Sequence, residues 1–358
     1  MSAGKGLQEE GMPMRRQRVT HLLWALIGSL GLSLGLSCDA ADATGWRARL
    51  QAQREGVTPR PAWTTPGTHR VELRHDGLTR HALVHLPPGF RPGQSTSLVL
   101  AFHGGGGDAA YMADDDRYGL ISLADRENFV IVFPSGYSRW PRGKLATWNA
   151  GDCCGDARDR QVDDVGFVRA LLQHLGRQIP ITPQRTFAMG MSNGAMMSYR
   201  LACEMSDAVR AIAAVAGTEA MTPCQPTHPV GILHIHARDD SHVLFDGGAG
   251  PDAFRDARKV MDFVSVPTTI SRWVTRQHCA PTAHRTLEVP GAYCETHAGC
   301  EGGAEVKLCV TASGGHAWPG APGSRLGRKA PPSPAMMFLV SWKLKAPKSP
   351  MVPSGCPR

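Results

Sequence analysis

The chain contains no Cys-x-x-Cys pair and no internal repeat. The missing cysteine pair argues against thiolate metal sites. An apolar stretch from Leu22 to Leu36 is only fifteen residues long. A membrane-spanning helix needs about 20. The glycine run His103 to Gly107 is not followed by Lys-Ser or Lys-Thr, which argues against a phosphate-binding loop. Acidic residues are absent from Ser324 to Arg358, where seven basic residues hold seven of the eight net positive charges. The rest of the chain is close to neutral. Its basicity is therefore a local, solvated feature, and no nucleic-acid partner is expected.

What is present fits a globular protein. Hydrophobic residues make up 42% of the 358 residues and charged residues 20%, a balance that excludes disorder. The length suits one α/β domain. Arg15, Arg16 and Arg18 precede the apolar stretch, and Ala41-Asp42-Ala43 offers a cleavage site. Residues 1–43 therefore read as a signal peptide, with Met14 an alternative start. A lipid anchor at Cys38 and an uncleaved anchor are minority alternatives. Ten cysteines fit export to an oxidising compartment. Cys203 is expected to pair with Cys224. Cys279, Cys294, Cys300 and Cys309 are expected to make two bridges. Adjacent Cys153 and Cys154 are expected to pair elsewhere, because a bridge between neighbours closes a strained ring. Cys356 is the expected leftover thiol.

Residues 44–66 read as a polar extension. Arg70–Leu73 and His81–Leu86 read as strands about an Asp76-Gly77 turn. Buried-type strands follow at Leu98–Phe102, Phe129–Phe133, Thr186–Met191, Ala211–Val215, Gly231–Ala237 and Lys307–Thr311. Helical spacing covers Asp164–Leu175, the segment after Asn193, and Ala335–Lys345. This alternation predicts one α/β domain, residues 67–344, with a mostly parallel central sheet and helices on both faces. Residues 345–358 read as a basic, Pro-rich tail.

Gly190-Met191-Ser192-Asn193-Gly194 sits between a strand and a helix, which is the context of a nucleophile elbow. A serine nucleophile needs a base, a carboxylate to orient that base, and donors for an oxyanion. His316, in Gly314-Gly315-His316-Ala317-Trp318-Pro319-Gly320, follows a strand in a glycine-rich loop and is the expected base. Asp239 and Asp240 both follow the strand Gly231–Ala237 and both qualify as the acid, with Asp246 and Asp252 as further loop candidates. Asp163 and Asp164 precede Ser192 and fit a helix N-terminus better. The amides of Asn193, Gly104 and Gly105 are the expected oxyanion donors. His234 and His236 alternate on one strand, but no acidic or thiolate cluster accompanies them, so no metal is expected. No cofactor is expected either.

Several motifs together resemble the polyhydroxybutyrate-depolymerase-like family of secreted α/β-hydrolase esterases, which includes feruloyl and acetylxylan esterases. They are the 103–107 glycine loop, Trp148-Asn149-Ala150-Gly151-Asp152-Cys153-Cys154-Gly155, Val162-Asp163-Asp164-Val165-Gly166-Phe167, the serine elbow, His234-Ile235-His236 and the His316 loop. The similarity runs from about Gly67 to Trp342. It implies a Ser192–Asp240–His316 triad, and it selects Asp240 where the residues alone left Asp239 open. Ala237, Arg238 and Ser241 depart from the family's usual His-Gly-Thr-x-Asp-Pro. The resemblance also puts Trp148 and Asn149 near the active-site mouth. Trp318 is expected to wall an acyl or aryl pocket. The implied activity is a secreted serine esterase acting on short-chain, hydroxyalkanoate or feruloyl and acetyl polysaccharide esters. The alternatives are a catalytically silent, surface-associated binding protein and a peptidase on the same scaffold. No stable membrane span is expected.

Overall fold

A computed structural model describes residues 63–253 and 257–319. The expected signal peptide, most of the polar extension, Cys38, the helix at 335–345, Cys356 and the basic tail lie outside the described residues. Among the described residues no helix is long and apolar enough to cross a membrane.

Among the described residues ten strands form one sheet: β1 Gly67–His75, β2 Leu78–Leu86, β3 Leu98–Phe102, β4 Val130–Pro134, β5 Thr186–Met191, β6 Ala211–Val215, β7 Gly231–Ala237, β8 His284–Val289, β9 Ala292–His297 and β10 Val306–Thr311. Helices α1 Ala109–Met112, α2 Asp115–Tyr118, α3 Leu120–Glu127, α4 Gly155–Asp159, α5 Asp164–Gly176, α6 Asn193–Glu204 and α7 Val266–Arg276 run between them. The strand order is β1-β2-β4-β3-β5-β6-β7-β10-β9-β8. The six central strands, β4 through β10 in that order, are parallel. Antiparallel hairpins finish both edges. This is a mostly parallel α/β sheet.

The sequence explains the arrangement. Strands β3, β4, β6 and β7 are buried along their whole length, as parallel strands covered on both faces must be. Alternate residues feed two cores. Leu98, Leu100, Phe102, Ile212 and Ile232 pack with α5, α6 and α7 on one face. Val99, Ala101, Ile131, Phe133 and Leu233 pack with α1 to α3 on the other. The β1–β2 turn uses Asp76 and Gly77, both at positive φ, of 47° and 72°, as a two-residue hairpin demands. Asp163 caps α5 by accepting from the Gly166 amide at 2.9 Å, so the first member of the Asp163–Asp164 pair does start a helix.

The disulfides match expectation in three cases: Cys203–Cys224, Cys279–Cys300 and Cys294–Cys309. The fourth is a correction. Cys153 and Cys154 are joined to each other, across a cis peptide. The two Cα atoms lie 3.1 Å apart, both side chains are buried in the loop after Trp148, and neither has another cysteine as partner among the described residues.

Candidate active site

Four loops leave the C-terminal ends of parallel strands in the centre of the sheet and meet at one rim, the position where open α/β sheets bind ligands. Ser192 follows β5, the glycine loop follows β3, Asp240 follows β7 and His316 follows β10.

Ser192 is at φ 55°, ψ −123°, the strained turn of a nucleophile elbow. Its flanking glycines are sterically required. A Cβ on Gly190 would collide with the Gly194 backbone, and one on Gly194 with the carbonyls of Phe102 and His103. Helix α6 begins at Asn193 with no side-chain cap, so its N-terminus presents free amides beside Ser192. The Asn193 side chain turns inward. Its Oδ1 accepts from the Trp148 amide at 2.7 Å, and its Nδ2 donates to the Trp148 carbonyl at 3.0 Å.

In the glycine loop, Gly106 and Gly107 commit their amides to the carbonyls of Ala146 and Gly104. His103 holds the loop in place. Its Nδ1 donates to Gly104 O at 2.8 Å, and its Nε2 accepts from the Gly136 amide at 2.9 Å. These partners fix one neutral tautomer. Burial lowers its pKa to about 4, against the weaker pull of the Gly104 hydrogen bond. Sequence reading missed this role; the only available signal was the position of His103 directly after a buried strand.

Asp240 is buried and surrounded by donors. His316 Nδ1 lies 2.9 Å from Oδ2, the amides of His242 and Val243 donate to Oδ1 at 2.8 and 3.0 Å, and His236 Nε2 lies 3.3 Å from Oδ2. Burial alone would raise the pKa of Asp240. The hydrogen bonds from His236 and His316, and their charges, outweigh it and hold the carboxyl well below the usual range. With Nδ1–H on Asp240, the Nε2 of His316 is left as the acceptor. His242 stacks on the His316 ring, centroids 4.3 Å apart and planes 12° from parallel. Asp239 acts elsewhere: its Oδ1 accepts from the Gly315 amide at 2.7 Å and so secures the histidine loop. Asp246 and Asp252 make no contact with His316 in the hydrogen bonds described.

Ser192, Asn193, Gly104, Gly105 and His316 line one cavity of about 580 Å³, with Tyr111, Tyr118, Met196, His242 and Phe263 on its walls. Three expected lining residues are not there. Trp148 and Asn149 are buried behind the cavity. Trp148 Nε1 donates to His103 O at 3.0 Å, and Asn149 Nδ2 to Val162 O at 3.0 Å. Both therefore shape the loop from within. Trp318 is 2% exposed and packs edge-on behind Tyr118, centroids 5.4 Å apart, so Tyr118 forms the wall in its place. Among the described residues, Asp240, His242 and His316 bring possible metal-ligand atoms within 4.8 Å of one another. The Asp240 oxygens are already taken by the four donors above, which suits a hydrogen-bonded acid–base pair better than a cation site.

A feruloyl esterase B of Piromyces equi is 28% identical over 243 residues, which is 66% of this chain and 42% of that protein. The chain is a distant homologue of the feruloyl and acetylxylan esterases. A Nocardia uniformis protein with an esterase designation, NocK, is 29% identical across 81% of this chain and 89% of its own length. A bifunctional acetylxylan esterase/xylanase of Neocallimastix patriciarum is 22% identical across 68% of this chain. The chain spans less than half the length of the Piromyces and Neocallimastix proteins, 42% and 32%. An acetyl xylan esterase structure from Aspergillus awamori aligns with a TM-score of 0.48 at 12% identity, covering 70% of this chain and 95% of that one. No family model matches the chain.

Proposed function

We propose that this protein is a secreted serine carboxylic-ester hydrolase working through Ser192, His316 and Asp240. The observation that carries the reading is an elbow serine and a carboxylate-held histidine lining one cavity. His316 Nε2 takes the Ser192 proton as Oγ attacks the ester carbonyl. The amides of Asn193 and of Gly104 or Gly105 receive the oxyanion, each donor contributing about 10²–10³ in rate. The imidazolium then protonates the leaving alkoxide, giving an acyl-serine. Water, deprotonated by His316, attacks the acyl carbonyl, and the proton returns to Ser192 as the acid leaves. Asp240 keeps the imidazole in the required tautomer throughout.

The relatives' names point to feruloyl and acetyl esters of plant polysaccharides, and hydroxyalkanoate oligomers belong to the same chemical class. The aromatic wall of Tyr111, Tyr118 and Phe263 favours a planar aryl acyl group. Four disulfides among the described residues support an oxidising, extracellular or periplasmic location. In the deciding experiment, Ser192→Ala abolishes turnover of p-nitrophenyl acetate while circular dichroism stays unchanged. Full activity in that variant refutes the assignment. Methyl ferulate, acetylated xylan and hydroxybutyrate oligomers, assayed side by side, then rank the acyl groups.

A further inference from the structure

His234 and His236 are fully buried on β7, and no step above uses His234. Their rings are stacked, 5.3 Å apart and 5° from parallel. Tyr199 Oη of α6 lies 2.8 Å from His234 Nδ1, His234 Nε2 lies 3.1 Å from His236 Nδ1, and His236 Nε2 lies 2.8 Å from Val243 O. The direction of this chain follows from its last acceptor. A carbonyl only accepts, so His236 Nε2 carries a hydrogen. In the neutral ring Nδ1 then accepts, and His234 Nε2 must donate to it. By the same step His234 Nδ1 accepts, and Tyr199 must donate. Three aligned donors thus end on a proton shared between Val243 O and Asp240 Oδ2, which is 3.3 Å away.

We propose that Tyr199, His234 and His236 form a one-way hydrogen-bond chain that positions the Asp240 carboxylate for His316. The proposal rests on the reading of Asp240 and His316 as the acid–base pair. The three are positioning residues, since none of them lines the cavity. His236 binds the face of Asp240 that the His242 and Val243 amides leave open. Without it, Oδ2 could turn away from His316 Nδ1, and a small misplacement near the reacting groups costs up to about 100-fold in rate. The chain also places the positive ends of its dipoles toward the Asp240 carboxylate, which favours its ionised form. Low local polarity strengthens the effect: Phe245 packs edge-on against His236 and Trp273 lies beside Tyr199. Other charged groups facing this system are His316 and His242 at Asp240, Asp252 near His242, and Glu219 and Arg276 near Tyr199.

The test compares His236→Leu, His236→Gln and Tyr199→Phe by pH profiles on p-nitrophenyl acetate. His236→Leu should lower kcat by about 10- to 100-fold with little change in KM, and should move the acidic limb of kcat/KM to higher pH. Glutamine can accept from His234 and donate to Asp240, so His236→Gln should recover most of the rate. Tyr199→Phe should move the limb in the same direction by less. A limb that stays fixed or moves to lower pH in folded His236→Leu overturns the proposal. Nitrogen-15 NMR of the histidines in Ser192→Ala reads the chain without activity. Both His234 and His236 should be neutral Nε2–H tautomers at pH 7, and any other tautomer overturns the proposal. That readout stands apart from the esterase reading, which fails if Ser192→Ala keeps its turnover.

Discussion

The two arms of the proposed triad reach the same rim by different physics. The serine arm is built by backbone crowding: Gly190, Gly194 and Gly217 let three backbone segments touch around Ser192. The acid–histidine arm is built by buried polar groups: Asp240 takes donors from His316, His236 and two amides. Damage to the glycines of the first arm should therefore appear as lost stability, and damage to the second arm as lost rate in a folded protein.

The largest expected effect is Asp240→Asn. Replacing the carboxylate by an amide keeps the shape and favours the wrong imidazole tautomer, so kcat should fall by about 10⁴-fold, with a melting curve close to wild type. A steep loss of folding in that variant would erase the contrast between the arms. Gly194→Ala should do the opposite. Its added methyl meets the Phe102 and His103 carbonyls, neither of which is a movable side chain, and should remove roughly 3 kcal/mol of stability in urea unfolding.

Acid offers a third test. The folded pKa of His103 is about 4, and its ordinary value is 6.5. Between those values the unfolded chain binds a proton that the folded protein refuses. The stabilisation is therefore complete above pH 6.5 and is lost as the pH falls through 4. For this buried ring the loss amounts to roughly 3 kcal/mol. His234, also held neutral by burial, pulls in the same direction. Urea unfolding at pH 7.5 and 4.5 should show the drop, and His103→Gln should reduce it. The smallest effect is Asp239→Asn. Its contact with the Gly315 amide is exposed, so about 1 kcal/mol of stability and less than tenfold in kcat should be lost. A collapse of activity matching that of Asp240→Asn would reassign the acid.

The serine arm and the sheet were legible in the sequence because their signals are local. Strand β5 ends where the elbow motif begins, and Asp76-Gly77 marks a turn without reference to the rest of the chain. The buried polar contacts were not legible. His103, His236 and His242 matter through partners 33, 4 and 74 residues away, and no spacing rule connects them. The β8–β9 hairpin was missed because β8 is exposed along its whole length and shows no buried face. Helix α7 does carry helical spacing in Val266, Thr269, Ile270 and Trp273, all buried. Its β-branched residues gave a competing strand signal. Trp148 and Asn149 were expected at the cavity from the family resemblance, and Trp318 because it neighbours His316. Chain proximity does not set side-chain direction, and all three point into the protein.

The central claim is that Ser192 is an activated nucleophile driven by His316. Fluorophosphonate labelling followed by peptide mass spectrometry tests it most directly. A single adduct on Ser192, forming in the native chain and suppressed in His316→Ala, is the result expected. Absence of an adduct, or one on another residue, would contradict it.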